Sequence, residues 1–275
     1  MTLRTIIKSL KNRGMKKLIY QTIWVTILFT GLSSCGELTT CQELSSSETT
    51  MLLDVSDEKL FAEILNDFEQ NLPHFMSKTP FAQLNECEKA TLTIGNFSGK
   101  EELSKRSKTI SIEQKGLSGA EKRKRGNPGG VMKMLKNSLD NYQEMSKDPS
   151  YNSATNITQT LVKAILEMNV EAENTLLLFS DMVINNKTES VNFYKTIPSE
   201  LQSTMDKLID DVLWDRLKSK TEEGLNVKVV IVLKSEPKNK VSKKAVKSFW
   251  IKALGHIGLT DVQVIDNLSN SIVWD

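Results

Sequence analysis

Cysteine and histidine are scarce in this chain: 275 residues hold three cysteines and two histidines. No CxxC pair and no Cys/His cluster occurs, which argues against a finger- or ribbon-type zinc site. His74 stands beside Pro73, and His256 lies in Gly255-His256-Ile257-Gly258. Both are isolated and read as structural or solvent-facing residues rather than as acid–base groups. GxSxG, HExxH and the phosphate-binding P-loop are all missing. No nucleophile with a positioned base can be named, so the chain is not read as an enzyme. Aromatic residues make up 6%, and Trp214, Trp250 and Trp274 fall in apolar contexts that suit a core better than a binding platform.

Acidic residues are absent before Glu37, whereas Arg4, Lys8, Lys11, Arg13, Lys16 and Lys17 are basic. An apolar stretch follows from Leu18 to Leu32, interrupted by Gln21 and threonines. It is shorter and more polar than the ~20 apolar residues of a bilayer span, and it suits the h-region of an export signal. Met15-Lys16-Lys17 offers a second plausible start. The stretch ends in Leu32-Ser33-Ser34-Cys35, which resembles a bacterial lipobox, with Cys35 as the thiol that takes the lipid. The expected organisation is a lipoprotein signal peptide over 1–35, a Ser/Thr-rich tether over 36–49, and one domain over 50–275. Such a protein is anchored to a membrane of the bacterial cell envelope on its extracytoplasmic side. Inner and outer membrane are not distinguished by Gly36-Glu37.

Removing that leader takes away six basic residues and no acidic one, which moves the formal net charge from +2 to −4. A nucleic-acid partner needs a basic excess on the folded domain, so none is expected. The run Lys122-Arg123-Lys124-Arg125 reads as a solvated loop. Once Cys35 is lipidated, Cys41 and Cys87 remain. They either form one disulfide or stay as two thiols, and spacing does not choose between them.

Along the domain, apolar runs alternate with helical periodicity. Strands are expected at 50–53, 90–97, 109–113, 174–179, 227–233 and 262–265, with a short one at 272–274. Helices are expected at 59–72, ended by Pro73, and at 131–145, 155–168, 201–217 and 242–254. This alternation predicts an α/β fold: a doubly wound, mostly parallel sheet flanked by helices on both faces. The near-continuous apolar runs at 174–179 and 227–233 suit strands buried on both sides.

Three short segments carry hard oxygen donors at element ends: Asp54-Val55-Ser56-Asp57-Glu58, Thr155-Asn156-Ile157 and Ser180-Asp181. In a doubly wound sheet, ligands bind outside the carboxyl ends of the strands, where strand order reverses. Two carboxylates, hydroxyls and waters around one point suit Mg²⁺ or Mn²⁺. The same residues also serve as ordinary helix N-caps.

The chain resembles a von Willebrand factor type A (integrin I-like) domain over about residues 50–266. That family carries Asp-x-Ser-x-Ser after its first strand, a Thr before a helix, and Thr/Ser-Asp-Gly after its fourth strand. Here the corresponding positions are Asp54-x-Ser56-x-Glu58, Ala154-Thr155-Asn156-Ile157 and Ser180-Asp181-Met182. The resemblance implies a metal-ion-dependent adhesion site with Asp54, Ser56, Thr155 and Asp181 as ligands of Mg²⁺ or Mn²⁺. It also implies a protein partner that supplies an acidic side chain to the ion. Two positions depart from the family pattern. Glu58 replaces a serine, and either ligates the metal or is a first-turn acid favoured by the helix dipole. Met182 replaces the glycine. A metal-free scaffold lipoprotein is the main alternative function, and a periplasmic hydrolase a weaker one.

Overall fold

Successive side chains of each strand point to opposite faces of one sheet, and the helices divide between those faces. The computed structural model describes residues 45–82, 84, 87–97, 107–114, 128–148, 157–186, 191–194, 196–234 and 241–268. All of them belong to the compact unit Cys41–Asp275. The lipobox with Cys35, the cysteine Cys41, the Thr155-Asn156 pair, the 122–125 run and the strand expected at 272–274 lie outside the described residues.

In chain order the elements are β1 (Ser45–Leu53), α1 (Glu58–Lys78), β2 (Glu88–Asn96), β3 (Lys108–Gln114), α2 (Pro128–Lys147), α3 (Ile157–Glu167), β4 (Glu173–Ser180), β5 (Asn185–Asn186), β6 (Val191–Asn192), α4 (Leu201–Leu208), α5 (Asp211–Glu222), β7 (Val227–Leu233), α6 (Lys243–His256) and β8 (Val262–Ile265). A single 3-10 turn, Pro80–Ala82, follows α1. Six strands form one sheet in the order β3-β2-β1-β4-β7-β8. All neighbours are parallel except β2 and β3. Strands β5 and β6 pair separately as a small antiparallel ribbon. The protein is a doubly wound α/β domain with a mostly parallel sheet.

Side-chain alternation sorts the core into two layers. On one face Leu52, Leu176, Leu178, Val229 and Ile231 pack with α3, α4, α5 and α6. On the other, Met51, Leu53, Leu177, Phe179, Val230 and Val232 pack with α1 and α2. Strands β4 and β7 are buried almost end to end, as strands covered on both faces must be.

Three boundaries differ from the sequence expectation. Residues 45–49, expected in the tether, are part of β1. Parallel pairing with β2 and β4 supplies the hydrogen bonds that their polar composition hid. Helix α1 continues through Pro73 to Lys78. Its far turn buries Phe75 and Met76, and that burial offsets the backbone bond a proline cannot make. The helix ends at Thr79, where Pro80 disfavours helical backbone in the residue before it. The single helix expected at 201–217 is two. Asp210 interrupts it and restarts the chain as an N-cap, accepting from the Val212 N–H at 3.0 Å.

Candidate functional site

The sheet order places the topological switch between β1 and β4. From β1 the chain winds outward to β2 and β3, then returns to β4 on the other side of β1. Leu53 and Phe179 are register partners, and the Asp54 N–H donates to the Phe179 carbonyl at 2.8 Å. The residues that end these two strands, Asp54 and Ser180-Asp181, therefore meet at the carboxyl crest of the sheet, where doubly wound folds bind ligands.

Asp54 is 2% exposed. Its Oδ1 accepts from the Ser56 N–H at 3.0 Å and from Ser56 Oγ at 2.5 Å. Its Oδ2 accepts from Ser180 Oγ at 2.7 Å. Burial pushes the Asp54 carboxyl above the ordinary carboxylate range, although the Ser56 and Ser180 hydroxyls pull it down; the nearby Asp57 charge adds to the rise. Asp57 is occupied as the N-cap of α1, its Oδ1 accepting from the Lys59 and Leu60 N–H groups at 2.9 and 3.0 Å. Glu58 is exposed on the first helical turn, the place where an acid interacts favourably with the helix dipole.

Across the crest, Ser180 is fully buried and also accepts the Met182 N–H on its Oγ at 2.9 Å. Asp181 is half-buried, and its Oδ1 accepts the Val183 N–H at 3.0 Å. Met182 has φ of 54°, in the left-handed region that favours glycine. This is the position where the resembled family carries glycine. Here the turn is made with a bulky residue, whose side chain is fully buried and whose carbonyl accepts the Trp250 indole N–H at 2.8 Å.

The structure thus brings Asp54, Ser56 and the Ser180-Asp181 loop to one crest. Thr155 lies outside the described residues, so its place relative to them is not described. Ser180 is among the oxygen donors named from the sequence, with Asp181, but its bond to Asp54, which spans 126 positions, is set by the fold. One residue near the crest escaped sequence reasoning. Tyr194 follows the β5–β6 ribbon, its N–H held by Asn192 Oδ1 at 3.0 Å. Its phenol is pushed up to about 12, first by desolvation, then by the charges of Asp181, Asp54 and Asp57. The phenol therefore lies within electrostatic reach of these three acids. The turn-forming Asn192 is the only sequence signal near it.

Among the described residues no group of three or more His, Cys, Asp or Glu is placed to hold a metal. The crest offers instead a mixed set of carboxylates and hydroxyls. These are hard oxygen donors of the kind Mg²⁺ and Mn²⁺ accept. A buried carboxyl with a raised pKa is also one whose charge a neighbouring cation would stabilise. Asp54, Ser56 and Asp181 are of the donor type such an ion takes. Cys87 is disulfide-bonded, and its partner lies outside the described residues.

The fold and the crest define a doubly wound α/β protein with carboxylates and hydroxyls gathered at its switch point. No family model matches the chain, and no curated protein matches it. Among solved structures it is similar to the pilus adhesin SpaC of Lactobacillus rhamnosus GG in its open conformation. That alignment has 11% identity and a TM-score of 0.41, over 83% of this chain and 29% of that one. The human COPII-coat protein Sec24c aligns with 11% identity and a TM-score of 0.32, over 83% of this chain and 31% of that one. The chain spans less than a third of the length of these proteins. Likenesses this distant carry no argument about what the chain binds.

Proposed function

We propose that this protein is a lipid-anchored, extracytoplasmic binding protein with a von Willebrand A-like domain, and that it engages a protein partner at the switch-point crest. The observation that carries the reading is the buried Asp54 carboxylate, held by hydroxyls from its own loop and from the neighbouring strand end. A fully buried acid at the ligand-binding end of a doubly wound sheet has a structural cost that a bound cation relieves. Asp54, Ser56 and Asp181, with Thr155 from the sequence motif, are the residues that would hold Mg²⁺ or Mn²⁺. When bound, the ion supplies a Lewis-acid position for an acidic side chain of a partner. The chain's own residues set the geometry: Asp54 anchors the first loop, Ser180 ties it to the second, and the Tyr194 phenol lies within electrostatic reach of Asp54 and Asp181.

A metal-free scaffold is the second reading, and one observation favours it. Both oxygens of Asp54 already accept hydrogen bonds from Ser56 and Ser180, so the carboxylate is satisfied without an ion. Calorimetry with Mg²⁺ and Mn²⁺ separates the two. Binding predicts heat and a thermal shift, with about 2.7 kcal/mol of added stability when the ion is at a hundred times its Kd. Both should vanish in Asp54→Ala. Absence of heat and shift for both ions would leave the scaffold. A pull-down from envelope extract, with and without chelator, then tests whether partner capture needs the ion.

A further inference from the structure

Away from the crest, one half of the sheet carries no helix on the α3 side among the described residues. The hydrophobic cluster on that face takes Leu52 from β1 but no residue of β2 or β3. Strand register arranges the side chains there in two rungs, Glu48–Thr91–Ser111 and Thr50–Thr93–Thr109, half-buried on β1 and β2 and exposed on β3. Within them Thr91 and Ser111 hydroxyls stand 3.0 Å apart, as do those of Thr93 and Thr109. Each such pair shares one hydroxyl hydrogen and leaves a second hydrogen and several lone pairs to a ligand. A cleft of about 340 Å³ opens over the rungs, and Ala164, Glu167 and Met168 wall it from the helix side. Small-molecule sites start at about this size, ~300 Å³.

The chemistry of the lining selects the ligand. It contains two carboxylates, Glu48 and Glu167; Lys163 and Lys220 lie within electrostatic reach of Glu167, and Lys220 of Glu48. Glu48 also accepts the Asn169 N–H at 3.1 Å. The lining carboxylates disfavour an anionic ligand, and the lysines beside them disfavour a cationic one. An extended peptide that adds a strand docks along a sheet edge through unpaired amides, whereas this cleft lies over a sheet face, with the β1 and β2 backbone groups committed to the ladders. What remains is a surface of groups that donate and accept at once, interspersed with threonine methyls, Ala164 and the Met168 thioether. A sugar has the complementary make-up: amphoteric hydroxyls at its edge and C–H faces between them.

We propose that the cleft between α3 and the β1–β2–β3 face binds a neutral glycan chain, with sugar hydroxyls paired to Thr50, Thr91, Thr93, Thr109 and Glu48. The site is separate from the crest and does not rest on a metal there. The test uses the full chain in detergent, with chelator present and threonine methyl groups ¹³C-labelled. Chitotetraose, cellotetraose and maltotetraose are titrated in turn. At least one should move the methyl resonances of Thr50, Thr91, Thr93 and Thr109 saturably. Thr91→Val with Thr93→Val keeps shape and β-propensity, and should weaken that binding about tenfold or more. Thr109→Val, at an exposed position, should weaken it too and gives an independent variant if the first does not fold. Asp54→Ala should leave it unchanged, which keeps this result apart from the fate of the crest. No shift with any of the three sugars, shifts confined to other threonines, undiminished binding by the folded valine variants, or equal shifts with a neutral tetra-alanine peptide would overturn the proposal.

Discussion

Asp54 shows how one residue can be costly to the fold and central to the site. Its folded pKa is raised, chiefly by burial. The folded state then holds its proton more tightly than the unfolded chain does. The sign follows from linkage: Asp54 favours folding most below the unfolded value of about 3.8, and that contribution is lost as pH rises through the folded value. Asp54→Asn removes the titration. In chelator, its thermal midpoint relative to the parent should therefore be higher at pH 8 than at pH 3.5. A difference that stays flat with pH would show that Asp54 carries no such penalty. Met182 is the second revealing residue. Replacing it with glycine relaxes a left-handed backbone worth about 1–2 kcal/mol but empties a fully buried site, where large-to-small changes cost about 2–5 kcal/mol. The expected net effect of Met182→Gly is a loss of about 1–3 kcal/mol, measured by urea unfolding. A gain would mean that the residue is there for the crest and not for the core.

Among the elements, α1 is the one whose sequence misleads. Proline usually marks a helix end, yet Pro73 sits inside, exposed, with Phe75 and Met76 buried just beyond it. Local preference loses to the burial of two large side chains on the next turn. Because the proline ring contacts solvent, Pro73→Ala restores an N–H for the Glu69 carbonyl at little packing loss. It should stabilise the protein by up to about 3 kcal/mol, read as a rise in the thermal midpoint. The other helix ends obey local chemistry more simply. Asp57 and Ser242 cap α1 and α6 through side-chain oxygens, and Gly224 and Gly258 take positive φ just past α5 and α6. Strand β1 illustrates the opposite difficulty. Its first five residues, Ser45-Ser46-Ser47-Glu48-Thr49, look like a tether because none is apolar. They are strand because β2 and β4 lie on either side.

On the scale of the whole molecule, one buried ion pair joins segments that are far apart in the chain. Lys234 follows β7 and meets Asp67 of α1 at 2.5 Å, both nearly buried. Its Nζ also donates to the Asp266 carbonyl at 3.0 Å, and Asp67 accepts the Leu268 N–H at 3.2 Å. Sheet, helix and C-terminal segment thus close over the face that contains Leu268. Lys234→Met leaves Asp67 buried without its cation and should cost about 3–5 kcal/mol. Pairing it with Asp67→Leu should recover much of that loss. Chemical denaturation of the two variants checks this, and an equal loss in both would show that the pair matters through shape and not through charge.

The alternation of apolar runs with helical periodicity was enough, by itself, to determine an α/β protein with a mostly parallel, doubly wound sheet, because period and punctuation are local properties of a chain. It also placed Asp54 and Asp181 at strand ends. Tertiary structure alone decided that the β1 and β4 ends are neighbours, that Ser180 holds Asp54, that Tyr194 lies within electrostatic reach of the same acids, and that threonines of three strands share one cleft. Each of these is a meeting of residues remote in sequence, and such meetings depend on strand order and register, which no local pattern encodes.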